Sequence, residues 1–584
     1  MDKVVTAFRR YVSELVGLIE AGTEHSYRSS LITLFKELFD DCKLINEPKA
    51  ESKELKIDLR VIVKDRNVGY IETKDIGTNL DKVLEGEQLK RYVSSVHNLI
   101  LTDYLNFILI RNGSVSMRAS IIHQAINPSI AQKLDQKNIE EVKNLLLSFL
   151  QYKIPQITSA QLLADYLSKK AKILKMLATD GIVAAAQNKP APIPFKDFVM
   201  LIYPLLMNAD PDEYVDAYAQ TMTFGILLAR SMGDGKQITK ENAAKFVPSS
   251  VKIIRRILLN IIEPDLPVSI SWLIDDIFDA VNASDLNKVL ADIKDKTGAV
   301  KDAFLLFYED FLRNYDPEKR KKHGVYYTPR PVVSFIVNNV SRILRDEFGK
   351  ELSLGSDDVT ILDPSCGTGT FLAMAQLLAI LSVKGAGYGG LIPKKIENHI
   401  LKDFFGFEIL VAPYVMAHLK LTRELEKSWG YKFSDGERVQ IYLTNTLHDK
   451  EIQNIYAFDE ILQETRTASE LKLKKKVMVI LGNPPYSGLS QNKGGYIEES
   501  IKTGRSLDNG SQIQGYYTID GEPLEEKNPK WLLDDYVKFI RFGQLKIAQS
   551  GEGILAYVSN NGYLDNPTFR GMRQSLLSTF TQYM

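Results

Sequence analysis

Asn483, Pro484, Pro485 and Tyr486 follow the apolar run VMVIL and Gly482, and they are the residues of this 584-residue chain best suited to chemistry on a weak nitrogen nucleophile. An amino group conjugated to a heteroaromatic ring is a poor nucleophile because its lone pair is spread into the ring. An Asn side-chain oxygen and a Pro backbone carbonyl can both accept from such an NH2 and localise the lone pair toward an electrophile. Proline has no N–H to compete, and the Pro pair stiffens the loop so that both acceptors stay aimed. Tyr486 offers a flat face on which an extruded base can stack. All four are candidate catalytic residues.

A second loop lies upstream. DVTILDPSCGTGTFLAMAQLLAIL reads as a short strand ending in Asp363, a small-residue turn and a helix. Gly367 and Gly369 let the backbone approach a ligand closely, and the helix start offers free N–H groups. Asp363, Pro364, Ser365, Gly367, Gly369, Thr370 and Phe371 are therefore candidate cofactor-binding residues. Taken alone, such a turn is also read as a plain strand-to-helix connection. FFGFEI reads as the next strand, and it places Glu408 where an acidic side chain can accept from ribose hydroxyls. The segment KGAGYGGLIPKK accounts for the long interval between Asp363 and Glu408.

The N-terminal part holds a different constellation. Asp58 in IDLRV and Glu72 with Lys74 in IETK fall on two strand-like runs joined by a turn at Asp65-Arg66-Asn67. A hairpin of that spacing brings both carboxylates to one sheet end, where Asp58 and Glu72 are candidate Mg2+ ligands and Lys74 a candidate for orienting a water. Without a cation the two carboxylates are expected to repel each other. Gln88 and Tyr92 lie one turn apart on the following helix, Gln88 being a further catalytic candidate. Glu24 reads equally as an additional metal or orienting group and as a surface glutamate.

The elements that must position these groups fall into three stretches. Residues 1–118 read as two amphipathic helices, a hairpin, a helix near 81–97 and two further strands, NLILTD and NFILIR. Residues 119–315 are mostly of helical period, interrupted by the Ala/Pro stretch VAAAQNKPAPIPF, and read as a helical connector without catalytic groups. From 316 to 584 strands and helices alternate as in a doubly wound parallel sheet. Lys+Arg and Asp+Glu are both 73, so no overall charge points to a polyanion, although a basic groove can be balanced elsewhere. The two cysteines, Cys42 and Cys366, exclude a disulfide framework and fit a reducing compartment, and with neither a signal-peptide core nor a membrane-length apolar run the expected location is cytoplasmic. No GxxxxGK[ST] phosphate loop occurs, so ATP-driven translocation is not expected of this chain.

Residues 316–584 resemble the gamma-class N6-adenine DNA methyltransferases of restriction–modification systems. DPSCGTGTF looks like their cofactor loop, Glu408 like their ribose ligand and NPPY like their catalytic tetrapeptide. GVYYTPRPVV looks like their segment against the methionine end of the cofactor, implying contacts from Tyr327, Thr328 and Pro329. LTNTL falls where the family places a contact to the cofactor's adenine; Thr444 and Asn445 stand there, and Asn445 is the candidate. NPPY also marks enzymes that methylate a glutamine amide, but those lack an N-terminal half like this one. Residues 1–118 resemble the PD-(D/E)xK nucleases, with Ile57 where the name-giving Pro would stand. The match is to single-chain type I and type IIG enzymes that fuse nuclease and methylase.

The resemblance implies a multidomain α/β protein with a PD-(D/E)xK-like nuclease, an all-α connector and a Rossmann-like methyltransferase core that is C-terminally incomplete. It implies S-adenosylmethionine and Mg2+ as cofactors and double-stranded DNA as partner. The family order places target recognition after the core, so a C-terminal domain or a specificity subunit is expected to supply it. Two other readings are a methyltransferase with an inactive nuclease, and a non-catalytic DNA-binding or assembly module on a methylase scaffold.

Overall fold

The computed structural model describes residues 2–18, 24–46, 58–64, 66–86, 89–90, 96–122, 134–152, 156–202, 210–233, 235–249, 251–291, 293–294, 300–316, 328–434, 436–448, 459–486, 492, 494–526 and 529–583. Contacts divide the chain into two compact units. The first joins Met1–Ile157 with Lys172–Asp180 and Pro267–Ala283, and the second comprises the rest.

In the first unit, α1 (Asp2–Leu18) buries Phe8, Tyr11, Val12 and Leu15, and α2 (Glu24–Leu38) buries Tyr27, Leu31, Leu34 and Phe35. Those three- and four-residue spacings line one face of each helix. Both pack on a six-stranded sheet of sequential order: β1 (Cys42–Asn46), β2 (Leu59–Val63), β3 (Arg66–Thr73), β4 (Asn98–Thr102), β5 (Asn106–Arg111) and β6 (Ser114–Ser120). All neighbours are antiparallel except β3 and β4, whose parallel pairing needs a crossover. That crossover contains α3 (Leu80–Glu85), capped by Asn79, whose side chain accepts from the Asp81 and Lys82 amides at 3.1 Å. The helix expected near 81–97 is thus described only to Glu85, where Gly86 caps it.

The unit also runs past the expected end at 118. The helix α4 (Gln136–Leu150) inserts Ile139, Val142, Leu145, Leu146 and Phe149 into the same core as α1 and α2. Two strands, β1 and β6, were not expected. SVSMRAS in β6 alternates polar and apolar residues at Val115, Met117 and Ala119, but of these only Ala119 is buried.

In the second unit, the helices between residues 158 and 315 are not a spacer. They include part of the long helix α5 (Ala160–Ala186), α6 (Pro211–Met232) and α7 (Ala303–Tyr315). From Thr221 to Ala229 every residue of α6 is buried, which marks a core helix rather than a solvated rod. Phe224 of α6 meets Phe307, Tyr308 and Phe311 of α7 edge-on, and Tyr315 Oη donates to Asp216 Oδ1 at 2.8 Å.

The rest of this unit is built on a five-stranded parallel sheet. Its strands are β7 (Ile361–Asp363), β8 (Phe404–Glu408), β9 (Gln440–Leu443), β10 (Val479–Gly482) and β11 (Ile554–Tyr557), in the order β9-β8-β7-β10-β11. The helices α8 (Arg330–Asp346), α9 (Thr370–Gly385), α10 (Val411–Trp429), α11 (Asp459–Leu473), α12 (Gly495–Thr503), α13 (Asp535–Ser550) and α14 (Arg570–Thr579) complete it. This is the expected doubly wound sheet. Chain order runs outward from β7 through β8 and β9, then restarts at β10, so the direction switches between β7 and β10. Ligands of open α/β sheets bind outside the carboxyl ends of the strands at such a switch. No helix among the described residues is long and apolar enough to cross a membrane.

Candidate active site

The two loops singled out by chemistry leave from the two strands that flank the switch. Asp363 ends β7 and Gly482-Asn483-Pro484 continues from β10, with Ile361 paired to Val479. The closeness is tight enough to require glycine: a Cβ on Gly482 would stand 2.6 Å from Asp363 Oδ1. Asp363 is buried, and Oδ1 accepts from the Ser365 amide at 3.1 Å. Burial pushes its carboxyl up to about 8, with the negative charge of Glu408 adding to the rise.

After Asp363 the backbone turns through Gly367 and Gly369 at φ +54° and +78°, conformations that favour glycine. A Cβ on Gly367 would meet no atom within 4 Å, so the bare backbone borders open space where a ligand can lie against it. Gly369 caps α9, whose first residues are Thr370 and the buried Phe371. Glu408, at the end of β8, faces this turn. Its Oε2 accepts from the Gly367 amide at 2.9 Å and its Oε1 from the Ile409 and Leu410 amides at 2.8 Å. Burial raises its carboxyl to about 7 against the lowering effect of those three bonds. Three bonds leave acceptor capacity on a carboxylate for one more donor. The turn after β9 closes the row. The Thr444 amide donates to the Glu408 carbonyl at 2.7 Å, and Thr446 Oγ1 donates to the Pro364 carbonyl at 2.5 Å.

Asn483 is held from outside the sheet. Its Nδ2 donates to Thr328 Oγ1 at 2.9 Å, while its buried Oδ1 has no partner among the described residues. An Asn oriented in this way keeps its acceptor for an incoming N–H. Thr328, expected to contact a cofactor, is thereby a holder of Asn483; Pro329 is exposed at the start of α8, and Tyr327 lies outside the described residues. Pro484 is buried, and Pro485 and Tyr486 are half-buried, with Tyr486 packed against the core beneath α13.

Asn445 differs from expectation. Its Nδ2 donates to Asn492 Oδ1 at 2.8 Å and its Oδ1 accepts from the Leu447 amide at 3.0 Å, so the amide is anchored to its own turn and to the segment after the tetrapeptide. Several site residues escaped the sequence reading. Lys420 of α10 donates to Asp302 and, at 3.1 Å, to Thr370 Oγ1; Asp302 Oδ1 also accepts from the Leu305 amide, so one pair ties α7 to the start of α9. Tyr308 of α7 is pushed well above its usual range by burial and then by the Glu408 charge. Tyr557, paired in register with Gly482, has a buried hydroxyl without a partner among the described residues, and its range is raised by burial and by Asp363. Lys420 between buried leucines on an otherwise apolar helix face is the kind of signal that could have revealed one of them.

The N-terminal candidates meet at the end of β3. Asp58 Oδ2 accepts from the Thr73 amide and hydroxyl at 2.7 and 2.8 Å, and its Oδ1 from Arg28 of α2. Arg28 Nε also donates to Thr73 Oγ1 at 3.2 Å, and Lys74 Nζ to Glu72 Oε1 at 2.6 Å. The expected repulsion between bare carboxylates does not arise, because Arg28 and Lys74 neutralise them. No cluster of three or more His, Cys, Asp or Glu able to hold a metal occurs among the described residues. As arranged these groups do not fit a Mg2+ ion: Arg28 takes the Asp58 oxygen a cation would need. Gln88 and Tyr92, and the side chain of Glu24, lie outside the described residues.

Three solved structures share the fold at low sequence identity. The DrdV–DNA complex determined by cryo-electron microscopy is 20% identical with a TM-score of 0.51, over 99% of this chain and 52% of that one. The ATP-dependent Type ISP restriction–modification enzyme LlaBIII bound to DNA gives 19% and 0.53, over 76% and 28%. A nuclease-deletion mutant of the Type ISP enzyme LlaGI with a DNA substrate mimic gives 18% and 0.51, over 76% and 33%. The chain thus spans about half of the first and a third or less of the others. No curated protein sequence matches it. Residues 299–509, which hold the glycine turn, Glu408 and the tetrapeptide, match the family model of the N-6 DNA methylases.

Proposed function

We propose that this chain transfers a methyl group from S-adenosylmethionine to N6 of an adenine turned out of double-stranded DNA. The observation that carries the reading is the Oδ1 of Asn483, without a partner among the described residues, on a side chain that Thr328 holds at the switch point beside the Gly367–Gly369 turn. When bound, S-adenosylmethionine supplies a sulfonium-activated methyl group. Gly367 and Gly369 would let the backbone lie against it, and the buried Glu408 would accept from a ribose hydroxyl. Asn483 Oδ1 and the Pro484 carbonyl would accept hydrogen bonds from the two amine N–H groups and Tyr486 would stack on the base, leaving the nitrogen lone pair facing the methyl group. The N–C bond would form as the S–C bond breaks, with S-adenosylhomocysteine the leaving group and one amine proton lost to water. These groups need no bulk reorganisation during transfer, because Asn483 is already oriented. Such an enzyme works where the chromosome is, in the cytoplasm. Because the chain spans only part of its solved neighbours, base reading is assigned to a further domain or a specificity subunit.

The test is direct. DNA incubated with the protein and methyl-labelled S-adenosylmethionine, digested to nucleosides and analysed by mass spectrometry, should yield labelled N6-methyldeoxyadenosine. Label on cytosine, or on a protein glutamine, would overturn the assignment.

A second activity is proposed for the first unit: metal-dependent DNA cleavage of the PD-(D/E)xK kind. Its support is the Glu72–Lys74 pair at the end of β3 with Asp58, just before β2, bonded to Thr73 beside it. Arg28 would have to leave Asp58 for a Mg2+ ion to bind. Cleavage that needs Mg2+ and is lost in Glu72→Ala and Lys74→Ala supports it; undiminished cleavage by Lys74→Ala refutes it.

A further inference from the structure

Lys472, near the end of α11, is 5% exposed, and its ammonium makes three hydrogen bonds to one short turn. Nζ donates to Thr444 Oγ1 at 2.6 Å, to the Asn445 carbonyl at 2.7 Å and to the His448 carbonyl at 3.3 Å. Burying an ammonium is costly unless every N–H finds an acceptor, so the turn and the lysine hold each other in one arrangement. The same helix reaches the strand before the turn through Glu464, whose Oε1 accepts from the Leu443 amide at 3.2 Å. The lysine is supported in turn from α13, where Lys546 Nζ donates to the Lys472 carbonyl at 2.9 Å.

The turn that Lys472 braces touches both other loops of the site. Thr444 bonds the Glu408 backbone and Thr446 bonds Pro364 in the glycine turn. Along the sheet the order β7-β8-β9 places the glycine turn, the ribose acceptor and then this turn side by side. A nucleoside laid with its ribose on Glu408 therefore meets the 444–448 turn with its base. The Asn445 side chain is anchored by Asn492 and Leu447, and Lys472 sets the direction of the backbone and hydroxyl groups beside it that the base would meet.

We infer that Lys472 is a positioning residue that shapes the base end of the cofactor pocket and so sets selectivity for the cofactor's adenine. This rests on the methyltransferase reading. The experiment compares binding of S-adenosylhomocysteine and of its hypoxanthine analogue, S-inosylhomocysteine, to the whole chain. In Lys472→Met the affinity for S-adenosylhomocysteine should fall about tenfold, as expected for loss of a charged hydrogen-bond anchor, while the hypoxanthine analogue barely changes. Thr444→Val tests the same bond from the other end and should show the same loss of discrimination, to a smaller degree, if Lys472→Met does not fold. Equal weakening of both ligands, or none, in the folded variants overturns the role of Lys472. A wild-type chain that binds neither ligand overturns the methyltransferase reading and this inference with it.

Discussion

At the residue scale, the site consists of groups whose value lies in what they have not yet bonded. Asn483 keeps its oxygen, and Glu408 keeps the last of its acceptor capacity. Both were legible because their chemistry is local: an Asn before a Pro pair, an acid at a strand end. Arg28, Lys420, Lys472 and Tyr557 were not, because their meaning comes from partners 24 to 118 positions away or in a neighbouring strand. The Asn445–Asn492 bond was not legible for the same reason, since nothing in LTNTL announces Asn492. The carboxyls make a pH prediction. Glu408 is raised to about 7 and Asp363 to about 8, so each binds its proton more tightly folded than unfolded. Their contribution to stability is complete at acid pH, below the ordinary carboxylate range, and is lost as pH rises through about 7 and 8. Ligand binding should run the other way, because a ribose hydroxyl needs the Glu408 carboxylate. Affinity for S-adenosylhomocysteine by calorimetry should climb as pH passes through about 7, and Glu408→Gln should flatten that climb. A wild-type affinity independent of pH in that window would remove Glu408 from the pocket.

At the scale of elements, the parallel sheet was readable because buried strands appear as short apolar runs ending in small or acidic residues. The edge strand β6 was passed over although SVSMRAS alternates, because its apolar residues are few and only one of them is buried. The packing of the helices before 315 was not legible, since period gives a helix but not what covers it. Gly482 of β10 lies against the Asp363 side chain of β7, and this contact yields a sharp test. Gly482→Ala puts a methyl group 2.6 Å from Asp363 Oδ1, so β10 or the Asp363 side chain must shift and carry Asn483 with it. A displacement of that order should lower the rate of methyl transfer about a hundredfold. Gly385→Ala, where an added Cβ meets nothing within 4 Å, serves as the control and should be neutral in rate and melting temperature. Equal activity of the two variants would mean that the tetrapeptide is not held by this contact.

At the scale of the whole molecule, the two candidate sites lie in separate compact units, each with its own sheet and core. Substitutions at one should therefore leave the other working. Glu72→Ala should keep the methyl-transfer rate of the parent protein within about twofold, since the altered side chain shares no element with the second sheet. A large fall in methylation in that variant would show that the units act as one. The methyltransferase claim itself turns on the division of labour between Asn483 and Glu408. The deciding measurement is paired: S-adenosylhomocysteine affinity and methyl transfer to DNA, each for Asn483→Ala and Glu408→Ala. Asn483→Ala should bind the ligand as the parent does yet lose at least about a hundredfold in transfer, as when one preorganised hydrogen-bonding group of a catalytic site is removed. Glu408→Ala should lose ligand affinity. If Asn483→Ala transfers methyl groups at the parental rate, or loses ligand affinity as Glu408→Ala does, the account of this site is wrong.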